Sequence, residues 1–111
     1  MPYGFGDVVL VPFPFTNQTA SKQRPAIVVS GRAYNLAKPD VVVMAVTSQL
    51  RASPTLNEVW VGERRTAGLL KPSAIKPVFA AIEQTLIIRR LGALEPADLA
   101  ALRNAITETL R

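Results

Sequence analysis

Catalysis by this chain has to run on a short menu of side chains. The 111 residues include no histidine and no cysteine. That excludes disulfides, thiol nucleophiles, zinc–thiolate sites and the Ser–His and Cys–His couples. It also removes the side chain most used as a general base near neutral pH. Hydroxyls, carboxylates, amides, lysine and arginine remain. Strand arithmetic brings two of these together. Gly31 to Asp40 reads as the connection between two β-rich runs, and an antiparallel hairpin closed there pairs residues whose numbers sum to 71. Ile27 then faces Met44, Val29 faces Val42, and at the open end Arg24 falls opposite Thr47. A one-residue bulge would exchange Thr47 for Ser48. Arg24 precedes Pro25, which holds it extended, so a guanidinium and a hydroxyl are expected to project near each other at one end of the fold.

That pair suits phosphate chemistry. Arginine presents a planar fork of donors and stays charged at any working pH, and threonine adds one donor and one acceptor. Together they can hold a phosphodiester and stabilise the charge that builds on its oxygens in a transition state. The same residues also read as a solvated rim arginine and a threonine filling a β position. Polar loops supply further candidates. Pro14 to Gln23 carries Asn17, Gln18, Ser21, Lys22 and Gln23 for bases and backbone; Phe15 could stack on a base or anchor the core. Gln49 to Asn57 carries Gln49 and Arg51, next to Ser48. Gly62 to Lys71 carries Arg64, Arg65 and Lys71, and Arg89-Arg90 adds a basic pair. Clustered at one rim, these would form a basic track for nucleic acid; separately, each is a solvated charge. The formal net charge of +5 fits a polyanionic partner and fits a solubilising surface equally well.

The elements that must position these residues are short. Asp7–Phe13, Pro25–Ser30, Asp40–Ser48 and Glu58–Val61 read as strands, with Ser73–Ile75 and Ala81–Ile88 as weaker ones, punctuated by Pro and Gly. The first is apolar on both faces, so both should be covered. From Glu95 to Leu110 the period changes: Leu99, Leu102, Ile106 and Leu110 form one helical stripe, Pro96 suits a first helical turn and Asp98 its positive end. Hydrophobic residues make up 49% and charged residues 19% of the chain, which predicts a packed core. The expected fold is one mostly β domain over 1–111, a small β-barrel over about 5–93 with a C-terminal helix over about 95–110. One helix cannot cover a whole small barrel, so a homodimer is expected. There is no basic n-region with an apolar h-region and no apolar run near the ~18 residues of a membrane helix, so a cytoplasmic protein without a membrane partner is expected.

The run GDVVLVPFPFTNQTASKQRPAIVVS (Gly6 to Ser30) closely resembles the N-terminal signature of MazF/PemK-type toxins, the growth-inhibiting endoribonucleases of bacterial type II toxin–antitoxin modules. VTSQL (Val46 to Leu50) resembles the second signature, and AGLLKPSAIK with LIIRRLGAL (Ala67 to Lys76, Leu86 to Leu94) a third region. The resemblance covers nearly the whole chain and implies an SH3-like barrel with a C-terminal helix, usually dimeric. It implies metal-independent, cofactor-free cleavage of single-stranded RNA at a short motif, with the ribose 2′-OH attacking the adjacent phosphate. Arg24 and Thr47 match the family's catalytic pair. Arg24 would stabilise the phosphorane-like transition state and Thr47 would bond the phosphate, with RNA lying in a groove of both subunits.

This sequence departs from the family at the general base. Gln23 stands where some members have an acid, no first-loop histidine exists, and Lys71 and Ser73 align loosely with an Arg and an Asp of one branch. Asp7 is the one acid of the first signature, and its Gly-Asp position reads as a strand-start turn. A non-catalytic module that binds RNA or antitoxin is therefore a competing reading. A gyrase poison is a third, since that toxin class shares the barrel, but the Arg103-to-Arg111 tail has no aromatic anchor. The resemblance also implies a cognate antitoxin, and the basic charge predicts that it uses an acidic segment.

Overall fold

The structure, a computed structural model, describes residues 3–12, 23–50 and 57–111. Six strands form one antiparallel sheet: β1 (Asp7–Pro12), β2 (Gln23–Val28), β3 (Asp40–Thr47), β4 (Val59–Trp60), β5 (Ala74–Glu83) and β6 (Arg89–Ala93). Their order is β4-β5-β3-β2-β1-β6, and the sheet curls into a half-barrel. A short helix α1 (Arg32–Ala37) lies between β2 and β3, and α2 (Pro96–Leu110) ends the chain. None of the described helices is long and apolar enough to cross a membrane.

The β2–β3 register is the expected one: Ala26 faces Ala45, Ile27 faces Met44 and Val28 faces Val43. Their connection, expected as a plain loop, holds α1. Asn35 fixes it there. Its amide donates to the Tyr3 carbonyl at 2.7 Å and its side-chain oxygen accepts from Ser30 Oγ at 2.5 Å. Ser30 Oγ in turn accepts the Val42 N–H, and Gln84 donates to the Asn35 carbonyl. Buried polar groups need such partners.

Three expectations need correcting. The two weak candidates, Ser73–Ile75 and Ala81–Ile88, are not separate strands: one strand, β5, spans Ala74–Glu83 and is followed by a 3-10 turn at Gln84–Leu86. Pro77 lies inside it because Met44 pairs with Phe79 and Val46 with Ile75. Lys76, Pro77 and Val78 therefore bulge opposite Ala45, where a missing N–H costs no ladder bond. Arg89–Ala93, singled out only for the basic pair Arg89-Arg90, is the edge strand β6. It pairs with β1 through a second bulge, which places Leu91 between the Val8–Gly92 and Val9–Arg90 pairs. Period-2 counting fails across both bulges. In α2, finally, the stripe shortens: Leu102 is fully buried and Leu99 and Ile106 pack against the core, but Leu110 is 65% exposed at the helix end.

Both faces of the sheet are covered, as the apolar β1 required. Val8, Ile27, Met44, Val46 and Ile75 face one cluster with Leu69, Leu94 and Leu102. Val9, Val11, Ala26, Val28, Val41, Val43 and Ile82 form the other. Each fully buried large side chain contributes about 1.5–3 kcal/mol, so the strand ends that carry the polar candidates rest on a rigid base.

Candidate active site

A groove of about 620 Å³ opens where β1, β2, β3 and β6 end beneath the segment from Gly68 to Ser73. Leu10, Val46, Leu69 and Leu91 give it an apolar lining. Gln23, Arg24, Ser48, Lys71, Ser73 and Arg89 bring polar groups to it. Strand alternation accounts for part of this set: Val46 shares the Met44 side of β3, as Leu10 shares the Val8 side of β1, and Ser48 follows just past the end of β3. Three cations thus surround an apolar hollow, and none of their side chains bonds to another described residue. Each is free to meet an anion, and several together raise the local concentration of a polyanion. No carboxylate is among the described lining residues.

Arg24 is exposed at the start of β2, across from Val11. Thr47 closes β3 and is half-buried. The β2–β3 ladder stops at Ala26 and Ala45; two residues further in the same register lies Arg24 opposite Thr47. Alternation puts Arg24 with Ala26 and Thr47 with Ala45, on one face of the sheet. Arg24 lines the groove and Thr47 does not. The Thr47 hydroxyl accepts the Gln49 N–H at 3.1 Å, which turns the chain at the strand end and leaves its own proton to donate.

The other candidates divide. Gln23, Ser48 and Lys71 line the groove with Arg24, whereas Gln49 is exposed just beyond it. Phe15, Asn17, Gln18, Lys22 and Arg51 lie outside the described residues. Arg89 and Arg90 separate: Arg89 lines the groove, and Arg90 pairs with Asp7 at 3.2 Å. Asp7 also accepts the Gly4 N–H, the turn role its sequence position suggested. It sits four residues along β1 from Val11, about 13 Å of strand away from the Arg24 position, so it is not placed to serve as base there.

Sequence reasoning missed Leu70 and gave Arg89 no special place. The signal for Arg89 lay in alternation along a strand that the sequence did not reveal. Leu70 carried no periodic signal, because it sits in a segment whose shape is set by distant partners. Arg64 Nη1 donates to the carbonyls of Leu69 and Leu70 at 3.2 and 3.0 Å. Asp98, at the start of α2, accepts the N–H groups of Gly62 and Glu63 at 2.9 and 3.0 Å. Gly68 has φ +77°, and a Cβ on it would overlap the Leu91 carbonyl, so only glycine lets this segment lie against β6.

The geometry has solved counterparts. An endoribonuclease in complex with its cognate antitoxin from a mycobacterial species superposes with a TM-score of 0.79 at 19% identity, covering 97% of this chain and 94% of that one. The Mycobacterium tuberculosis toxin MazF-mt6 gives 0.76 at 21% identity, covering 94% and 95%. A MazE–MazF structure from Deinococcus radiodurans gives 0.75 at 20%, covering 99% and 96%. At these identities the likeness is one of fold. No curated protein sequence matches the chain. Residues 5–110 match the PemK-like, MazF-like toxins of type II toxin–antitoxin systems, and it is to this family that the chain belongs.

Proposed function

We propose that this toxin is an endoribonuclease that cleaves single-stranded RNA at a short motif. The observation that carries the reading is Arg24, whose guanidinium bonds to no described residue, at the edge of a groove that also presents Lys71 and Arg89. In the proposed reaction the ribose 2′-OH attacks the adjacent phosphorus and the 5′-oxygen leaves. The products are a 2′,3′-cyclic phosphate and a 5′-OH end, and no metal takes part. The Arg24 fork bonds two non-bridging oxygens as their charge grows, which is where such donors contribute most. The Thr47 hydroxyl donates to the same phosphate, and Gln23, Ser48 and Lys71 hold the strand on either side. The chain acts as a cytoplasmic homodimer that blocks translation and growth, and a cognate antitoxin neutralises it by laying an acidic segment over Arg24.

Incubation with long single-stranded RNA in EDTA tests this. Fragments with 5′-OH ends are expected. Arg24→Ala should lower the rate about 10²–10³-fold or more, the usual contribution of one transition-state donor. Because Arg24 is exposed, its removal should change stability by only about 0.5 kcal/mol. Arg24→Lys should fail too, since an ammonium lacks the fork. Full cleavage by Arg24→Ala would remove the assigned site.

A module that binds RNA or antitoxin without cutting is the competing reading. It is favoured by the absence of a carboxylate among the described lining residues, since the 2′-OH proton needs an acceptor. RNA retained but uncut in the same assay would establish it.

A further inference from the structure

Leu70 is 93% exposed, which is unusual for a leucine whose neighbours are so firmly held. Leu69 beside it is buried in the core, and its N–H donates to the Arg64 carbonyl. Ser73 Oγ closes the far side on the Lys71 carbonyl at 2.8 Å. The Ala93 N–H donates to the Thr66 carbonyl, tying the segment to β6. The Arg64 guanidinium then spans the carbonyls of Leu69 and Leu70 themselves. An apolar side chain thus stands in water on a held backbone, at a groove that also presents Lys71 and Arg89. Apolar surface beside cations, on a backbone that needs no ordering, is what an unstacked base with its phosphate requires.

We propose that the Gly68–Lys71 wall is a preformed base subsite: Leu70 covers the face of one unstacked base, Arg89 takes a neighbouring phosphate, and Arg64 is the positioning residue that holds Leu70 in place. The proposal rests on the RNA-cleaving reading and adds to it where one base is gripped. Arg89 acts through charge and Leu70 through apolar contact, so the two should separate by salt dependence. Arg64 touches no RNA, and its effect should pass through Leu70.

The test uses the full chain and a mixed-sequence, fully 2′-O-methylated RNA, which has no nucleophile and stays intact. Binding is followed by fluorescence anisotropy from 50 to 500 mM salt, with cleavage of ordinary RNA measured in parallel. Arg89→Gln should reduce the slope of log affinity against log salt by about 0.7, one single-strand phosphate contact. Leu70→Ala should weaken binding about tenfold with the slope unchanged, the loss of roughly half a leucine's apolar burial. Arg64→Ala should weaken binding in the wild-type background and have little further effect on Leu70→Ala, a coupling that a purely global loss of structure would not give. Arg64→Lys, which keeps a donor, should recover part of the loss.

If wild type cleaves RNA but Leu70→Ala binds as tightly and Arg89→Gln keeps the full slope, the subsite is wrong and the cleavage reading stands. If wild type neither binds nor cleaves RNA, both fall. If Leu70→Ala leaves RNA affinity alone and instead lowers the sedimenting mass or abolishes capture of an acidic peptide, Leu70 is a protein contact and the subsite is overturned.

Discussion

Replacing Asp98 should unfasten the groove wall from a distance. Asp98 is 7% exposed, and its carboxylate accepts two backbone N–H groups, from Gly62 at 2.9 Å and Glu63 at 3.0 Å. Hydrogen bonds to a charged group contribute about 1.5–3 kcal/mol each. An acid in the first turn of a helix adds about 0.3–1 kcal/mol. Asp98→Ala loses all of these and leaves two donors without their acceptor. Taking the low end for each bond, because both share one carboxylate, the cost is about 3–4 kcal/mol. A domain of this size loses about 4 °C of melting temperature per kcal/mol, so a fall of about 12–16 °C is expected. Asp98→Asn keeps the volume and one acceptor but sets an NH₂ against the second N–H. About half the loss should appear there, which separates hydrogen bonding from packing. Thermal melts by circular dichroism give the first number, and amide exchange at Gly62 and Glu63 gives the local one. Melting within 2 °C of wild type for Asp98→Ala, or undiminished protection of both amides, would refute the reasoning.

Leu102→Ala should cost about 2–5 kcal/mol in urea unfolding, since Leu102 is fully buried between α2 and the sheet. Leu110→Ala on the same stripe should stay within about 0.5 kcal/mol, because that side chain is largely in water. Gly68→Ala should destabilise by more than about 1 kcal/mol, because the positive φ and the Leu91 carbonyl both oppose a Cβ; the same melts check it. The Tyr34 phenol is held above its ordinary value of 10.0 by partial loss of solvent and then by the Asp40 carboxylate, to which it donates. A raised folded pKa contributes stability that is present below the ordinary value and lost as pH climbs through the folded one. Asp40→Asn should bring the phenol's ultraviolet titration back toward 10.0; no movement would remove Asp40 as a cause.

What could be read in the sequence followed from period and short range. The hairpin sum of 71 gave the β2–β3 register through Ile27 and Met44, because closure at Gly31–Asp40 set the sum and a one-residue slip would turn the apolar faces over. It also put Arg24 at a strand end that borders a groove. Pro96 and Asp98 marked the start of α2 one residue from its observed first residue. Legibility ended where distant partners decide. Ser73–Ile75 and Ala81–Ile88 read as two separate runs, and only the Met44 and Val46 pairings reveal one strand, β5, with Pro77 in a bulge. Arg89-Arg90 read as one basic pair, and the β1–β6 register sends Arg90 to Asp7 and leaves Arg89 for the groove. The hold of Asp98 on Gly62 and Glu63 has no local signature at all, nor does the exposure of Leu70 that follows from an anchored segment.

The place of β1 between β2 and β6 has a consequence for the order in which the molecule comes into being. A ribosome delivers β2 soon after β1, but the outer edge of β1 waits for β6. At about 5–20 residues per second, the stretch from Pro12 to Arg89 takes about 4–15 s to make. For that time Val8, Val9 and Val11 belong to a strand with one open edge, the kind of surface that invites pairing with other chains. The groove is equally unfinished, since Leu10 and Arg24 are made early while Ser73, Arg89 and Leu91 come last. The nascent chain therefore has no complete groove until its final strand is in place, and the open edge of β1 is exposed to other chains throughout that time.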